Sequence, residues 1–185
     1  MSHPFMAAVA AELVKWDIAT LRYQFPYMER GGKRPDAPAL AHATVRAAVA
    51  EAARLLPQLP LIAGGKSFGG RMTSQAQAIA PLDRVVGLAF FGFPLHPAKR
   101  PDRERATHLA AVKIPMLFLQ GTRDALAELS ELQPVCAELG SRVTLKLFTD
   151  ADHSLHVAAR TGRKDADILT EALDAFADWA GRIAA

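Results

Sequence analysis

Apolar positions along this chain recur at helical spacing in some stretches and as short continuous runs in others, and the two patterns alternate. Phe5, Met6, Val9 and Leu13 share one helical face through about Lys15, with Ser2 as a cap and Pro4 in the first turn. Residues 18–23 predict a short strand, followed by a loop marked by Gly31, Gly32 and Pro35. Asp36 opens a second helix carrying Val45, Val49, Ala52 and Leu56 on one face, with Pro57 beyond its end. Residues 61–64 predict a strand, and residues 68–80 a helix with Met72, Ala76 and Ile79 inward. Residues 85–93 are apolar almost without interruption, as expected of a strand covered on both faces. Residues 116–120 predict another buried strand, and residues 143–148 the last strand. Between them Ser130 with Gln133 offers a capping box for a short helix that Gly140 ends. Ile168, Leu169, Ala172, Leu173, Phe176, Trp179 and Ile183 form the apolar face of a terminal helix.

Alternating strands and helices of this kind predict a three-layer α/β/α sandwich around a mostly parallel sheet of about five strands. Residues 1–185 are expected to form a single domain, since a chain that is 50% hydrophobic carries enough apolar material for one sizeable core. No internal repeat or low-complexity tract interrupts it.

Charge and cysteine content narrow the function classes. The formal net charge is +3, and the Lys and Arg side chains are scattered with no aromatic residues interleaved. A nucleic-acid partner is therefore not expected. The polar excursion over residues 94–113, with Lys99, Arg100, Arg103 and Arg105, reads as a solvated face. Cys136 is the sole cysteine, so no intrachain disulfide can form, and no Cys/His spacing predicts a metal site. The first 13 residues lack a basic region and a cleavage site, and the longest apolar run, residues 85–95, is too short to span a bilayer. A cytoplasmic protein without a membrane partner is expected.

The chemistry concentrates where strands end. Gly64-Gly65-Lys66-Ser67-Phe68-Gly69-Gly70 places one serine among glycines between a predicted strand and a predicted helix, the pattern of a nucleophile elbow. In such a turn the serine is held in a sparsely populated backbone conformation. Gly65 and Gly69 are expected at the two places where a Cβ would collide with the adjoining strand and helix. Ser67 would attack a carbonyl, with the backbone N–H of Phe68 aimed at the oxyanion that forms. A serine hydroxyl needs a base, and the base needs a carboxylate to hold its tautomer. Asp124, after the strand at 116–120, and His153, after the strand at 143–148, supply one of each, in the order Ser, Asp, His. Asp150 and Asp152 are rival acids, disfavoured because they adjoin His153 in sequence. His96 and His108 read as structural or pocket-rim residues, while His3, His42 and His156 show no partner in the sequence.

These segments resemble the α/β-hydrolase superfamily, and within it the compact dienelactone-hydrolase-like branch. The likeness is carried by Arg22-Tyr23-Gln24-Phe25-Pro26-Tyr27, Gly65-Lys66-Ser67-Phe68-Gly69-Gly70-Arg71, Gly92-Phe93-Pro94-Leu95-His96-Pro97, Gln120-Gly121-Thr122-Arg123-Asp124 and Asp152-His153-Ser154. The resemblance implies Ser67 as nucleophile, His153 as base and then acid, and Asp124 as the orienting acid. It implies a small ester, thioester or lactone as substrate and no cofactor. Tyr23, Phe25, Tyr27 and His96 are expected either to line the substrate pocket or to serve as core and loop packing. A catalytically silent binding module on the same fold is the competing expectation.

One departure stands out. Hydrolases of this kind resemble one another in a strand and an H-G-x-G-like loop ahead of the first helix, which supplies a second oxyanion donor, and no H-G-x-G occurs in this sequence. The corresponding strand lies inside the sheet, between those predicted at 18–23 and 61–64. A shortened chain is therefore expected. Its sheet would close by direct pairing of the two flanking strands or by a second copy of the chain in a homodimer.

Overall fold

A computed structural model describes residues 3–184; the cap expected from Ser2 lies outside them. Chain order is α1 (Pro4–Leu13), α2 (Pro26–Glu29), α3 (Pro38–Leu55), β1 (Leu61–Lys66), α4 (Phe68–Ile79), β2 (Val85–Phe91), β3 (Met116–Gly121), α5 (Leu129–Leu139), β4 (Val143–Phe148) and α6 (Asp165–Ala184), with short 3₁₀ turns between some of them. Pro4, Pro26 and Pro38 each stand at the first helical position, where their fixed φ suits the turn and the missing N–H would be unpaired anyway.

The four strands are all parallel, in the spatial order β1-β2-β3-β4. Helices α3, α4 and α5 cover one face and α1 with α6 the other, giving the three layers the alternation predicts. Phe90, Phe93 and Phe118 pack edge-on or tilted at centroid distances of 4.9–5.5 Å inside the first layer boundary. Trp179, Phe176 and Ile168 of α6 fill the other with Val9 and Leu13 of α1. Each wall follows from alternation along the strands, since neighbouring residues such as Phe90 and Phe91 point to opposite faces. No helix among the described residues is long and apolar enough to cross a membrane.

Several expectations need correction. The sheet has four strands, not about five: residues 18–23 form no strand, and residues 19–22 are exposed. Direct pairing of the flanking strands therefore does not close the sheet. One edge of β1 pairs with β2, and no strand among the described residues pairs with the other. The capping box at Ser130 is absent as well. Helix α5 begins at Leu129 after Glu128, without a side-chain cap, and Gly140, at a positive φ of 66°, ends it as expected. His42 and His156 do have partners, in Gln75 at 3.1 Å and Asp165 at 2.8 Å.

Candidate active site

Ser67 is the residue between β1 and α4. Its backbone has φ 51° and ψ −116°, in the positive-φ region that a residue with a Cβ rarely occupies. Two backbone bonds hold it there: its N–H donates to Phe91 O at the end of β2 (3.2 Å), and its carbonyl accepts the Arg71 N–H of the first turn of α4 (3.1 Å). The Ser67 hydroxyl does not cap its own helix, which leaves it available to another partner. The Phe68 N–H is in the first turn of α4, where helix geometry provides no intrahelical acceptor and the helix dipole favours negative charge.

The steric logic of the glycines differs from the expectation. Gly65 has φ 151°, which favours glycine, yet a Cβ there would meet only ordinary contacts, the nearest at 3.5 Å. At Gly69 the nearest atom would be Phe25 Cε2 at 3.8 Å. The crowding lies one residue outward. A Cβ on Gly64 would run into the Ala89 carbonyl of β2, and one on Gly70 would come within 2.8 Å of Gly65 O and 3.1 Å of Phe90.

His153 and Asp124, 86 and 57 residues along from Ser67, come to the same place because β3 and β4 end beside β2 at one rim of the sheet. The Ser67 Oγ lies 2.8 Å from His153 Nε2, and His153 Nδ1 lies 2.7 Å from Asp124 Oδ2. Asp124 is 2% exposed and makes further bonds: Oδ1 accepts the Leu126 N–H at 2.7 Å and Oδ2 accepts from Gln120 Nε2. The rival acids are engaged elsewhere. Asp152 Oδ1 accepts the N–H groups of Ser154 (2.7 Å) and His156 (3.0 Å), and Asp150 lies 3.7 Å from Arg123.

Sequence reasoning missed two contributors. Gln120 is fully buried, with its amide N–H on Asp124 and its carbonyl accepting the Phe93 N–H at 2.9 Å, so it ties the end of β3 to the loop after β2. The signal was present: a lone polar side chain in a strand buried on both faces must find partners. Gly92, at φ 70°, lets the chain pass beneath His153; a Cβ would come within 2.7 Å of His153 O and 3.3 Å of its ring.

Aromatic side chains surround the elbow. Phe25 packs edge-on to Phe68 at 5.1 Å and Tyr27 to Phe68 at 6.1 Å, while Tyr23 packs on Phe25 at 5.6 Å. Phe25 is buried in the core, and burial pushes the Tyr23 hydroxyl above its ordinary pKa, with a hydrogen bond to Thr73 opposing. His96 is fully buried beside the same core, its Nδ1 2.9 Å from Pro97 O. His108 lies 2.7 Å from Ser74 Oγ on α4. Burial, with Arg71 and His42 nearby, pushes its ring down to about 4, so it is neutral at pH 7. Lys66, the residue before Ser67, is held below the usual lysine range by burial, with Asp152 and Asp124 opposing.

The sequence profile of the α/β-hydrolase domain family matches residues 1–181. This chain belongs to the α/β-hydrolase family. Solved structures share the hydrolase fold at low identity. An α/β serine hydrolase homologue from Coxiella burnetii is 17% identical with a TM-score of 0.72, over 93% of this chain and 76% of that one. A lidless α/β serine hydrolase from Xanthomonas campestris is 21% identical with a TM-score of 0.71, over 97% and 75%. Dienelactone hydrolase from Anabaena variabilis is 19% identical with a TM-score of 0.71, over 100% and 81%. In this α/β hydrolase the Ser67, His153 and Asp124 side chains stand past the carboxyl ends of β1, β4 and β3, where such sheets collect their reactive groups.

Proposed function

We propose that this α/β hydrolase cleaves a small ester, thioester or lactone through an acyl-enzyme on Ser67. The observation that carries the reading is the unbroken chain from Ser67 Oγ to His153 Nε2 and from His153 Nδ1 to a buried Asp124. A carboxylate oxygen at 2.7 Å accepts, so Nδ1 carries the ring proton, Nε2 presents its lone pair, and the Ser67 hydroxyl donates to it. That tautomer is the one a general base requires.

In the first half-reaction Ser67 Oγ bonds to the substrate carbonyl carbon as its proton passes to His153 Nε2. The imidazolium is stabilised by Asp124. The oxyanion is met by the Phe68 N–H and the N-terminal end of α4. Collapse breaks the bond to the leaving alcohol, thiol or ring oxygen, which takes the proton from Nε2. Water, deprotonated by His153, then attacks the acyl-serine, and Ser67 recovers its proton.

Phe68 supplies one donor, and one oxyanion donor is worth about 10² to 10³ in rate. The experiment is hydrolysis of short-chain p-nitrophenyl esters with a pre-steady-state burst. The wild-type chain should release about one equivalent of nitrophenol per site before turnover, and Ser67→Ala none. Equal rates in both would refute the proposal, and a folded wild-type protein without hydrolysis would favour a binding module.

A further inference from the structure

Two arginines meet beside the elbow without an acid between them. Helix α4 packs against the 3₁₀ turns at Glu104–Ala111, and one side-chain contact fixes their register: Ser74 Oγ lies 2.7 Å from His108 Nε2. Residues 71 and 74 are neighbours on the surface of α4, and residues 105 and 108 stand one above the other where there are three residues per turn. Arg71 and Arg105 thus belong to the same seam. The Arg105 charge adds to burial in holding Arg71 below the usual arginine range. Both side chains are half-buried, whereas Lys99 and Arg100 of the same polar excursion are exposed, as a solvated face requires.

The surroundings leave this charge uncompensated. Arg103 is paired with Glu131 at 2.7 Å and Glu138 at 3.6 Å. No carboxylate among the described residues forms an ion pair with Arg71 or Arg105. The Ser74 hydroxyl donates to Arg71 O at 2.9 Å, so the N–H at His108 Nε2 donates to Ser74, and the neutral ring adds no charge of its own. The Arg71 Nε–H is shut off from solvent and has no acceptor among the described residues. A buried donor without an acceptor and two like charges side by side both disfavour folding, and a bound anion offsets both.

Position ties the pair to Ser67. The Arg71 N–H donates to Ser67 O at 3.1 Å, and the Arg71 guanidinium carbon lies 5.8 Å from the centre of the Phe68 ring. Side chains four residues apart on a helix are about 5 to 6 Å apart at Cβ, so an anion on Arg71 stands about one helical turn from the nucleophile. The charge selects the ligand. Both guanidinium groups stay protonated at pH 7. A carboxylate, with one charge and two oxygens, is filled by a single guanidinium fork; a phosphate monoester carries roughly −1.5 to −2 and three free oxygens, enough for two forks.

We propose that Arg71 and Arg105 form a phosphate subsite beside Ser67 and, resting on the hydrolytic reading above, that the ester or thioester cleaved there carries a phosphate about one helical turn from its carbonyl. The first readout is binding and does not depend on catalysis. In nitrogen-15-labelled protein at neutral pH and fixed ionic strength, inorganic phosphate should shift the Arg71 Nε–H resonance to saturation and bind at least about tenfold more tightly than acetate. Arg105→Gln should weaken phosphate about tenfold or more, and Arg100→Gln, at an exposed cation nearby, less than about twofold. No shift at Arg71, acetate bound as tightly as phosphate, or equal losses in the two variants would overturn the subsite. Should Arg105→Gln fail to fold, the comparison of phosphate with acetate on the wild-type chain decides alone.

The second readout is hydrolysis. The kcat/KM for methyl 4-phosphonobutanoate should exceed that for methyl pentanoate about tenfold or more, a preference kept in Arg100→Gln and lost in Arg105→Gln. Equal rates for the two esters would overturn the substrate assignment. Phosphate bound at Arg71 in a protein that hydrolyses neither ester would refute the hydrolytic reading and leave the subsite standing.

Discussion

Replacing Gln120 by leucine removes two bonds at once from the most buried part of the site. Gln120 is fully buried, Phe93 is fully buried and Asp124 is 2% exposed, so neither orphaned group can turn to water. The Phe93 N–H loses its acceptor and Asp124 Oδ2 loses an N–H donor. Each buried group left unpaired costs about 1 to 3 kcal/mol. Leucine, of similar size, recovers part of this through apolar burial, leaving a net loss of about 2 to 4 kcal/mol. For a chain of this length that lowers Tm by about 5 to 15 °C. The second effect is chemical: Asp124 keeps only the Leu126 N–H and His153 to orient it, and the His153 ring loses definition. Thermal melting by circular dichroism reads the first effect, and the rate of fluorophosphonate inactivation, measured below the lowered Tm, reads the second, with a fall of about tenfold expected. A Tm within 2 °C of the wild-type value, together with an unchanged inactivation rate, would refute the role assigned to Gln120.

Other perturbations test neighbouring parts of the account. His153→Ala should lower ester hydrolysis about 10⁴-fold or more while leaving the melting curve nearly unchanged, because the ring is partly exposed; a fall below tenfold in kcat/KM would show that Ser67 needs no base. Gly92→Ala places a Cβ at φ 70° and within 2.7 Å of His153 O, so it should cost about 1 to 3 kcal/mol and displace the ring, read as a joint loss of Tm and hydrolysis. His108 has its folded pKa depressed to about 4 from 6.5. The unfolded chain therefore binds the extra proton between those values, and stability should fall as pH drops from about 6.5 to about 4. His108→Gln, which can still reach Ser74, should flatten that part of the pH profile of Tm, and an unchanged slope would remove His108 as its cause.

How much of this was legible in the sequence depended on whether the information was local. Strands β2 and β3 announce themselves as apolar runs, as a parallel sheet covered on both faces demands, and Ser67, Asp124 and His153, which the structure joins by hydrogen bonds, are legible as polar residues just past strand ends. Residues 18–23 failed as a strand for a non-local reason. A strand exists only where a neighbour accepts its hydrogen bonds, and the apolar pattern of that stretch does not say whether one is present. The glycine pattern of the elbow discloses the turn but not its contacts: which of Gly64, Gly65, Gly69 and Gly70 lies against Ala89 or Phe90 is decided by strand packing. The role of Gln120 is not legible from its neighbours in sequence, since its two partners are 27 and 4 residues away on different loops.

The central claim is that the hydroxyl at position 67 is made nucleophilic by His153. The most direct test is intact-mass and peptide-mapping analysis of the protein after exposure to a fluorophosphonate. The account predicts a single adduct, on the peptide containing Ser67, that is lost in Ser67→Ala and reduced at least about 10³-fold in rate in His153→Ala. A folded wild-type protein that takes no label, or one labelled at Ser67 equally fast without His153, would contradict it.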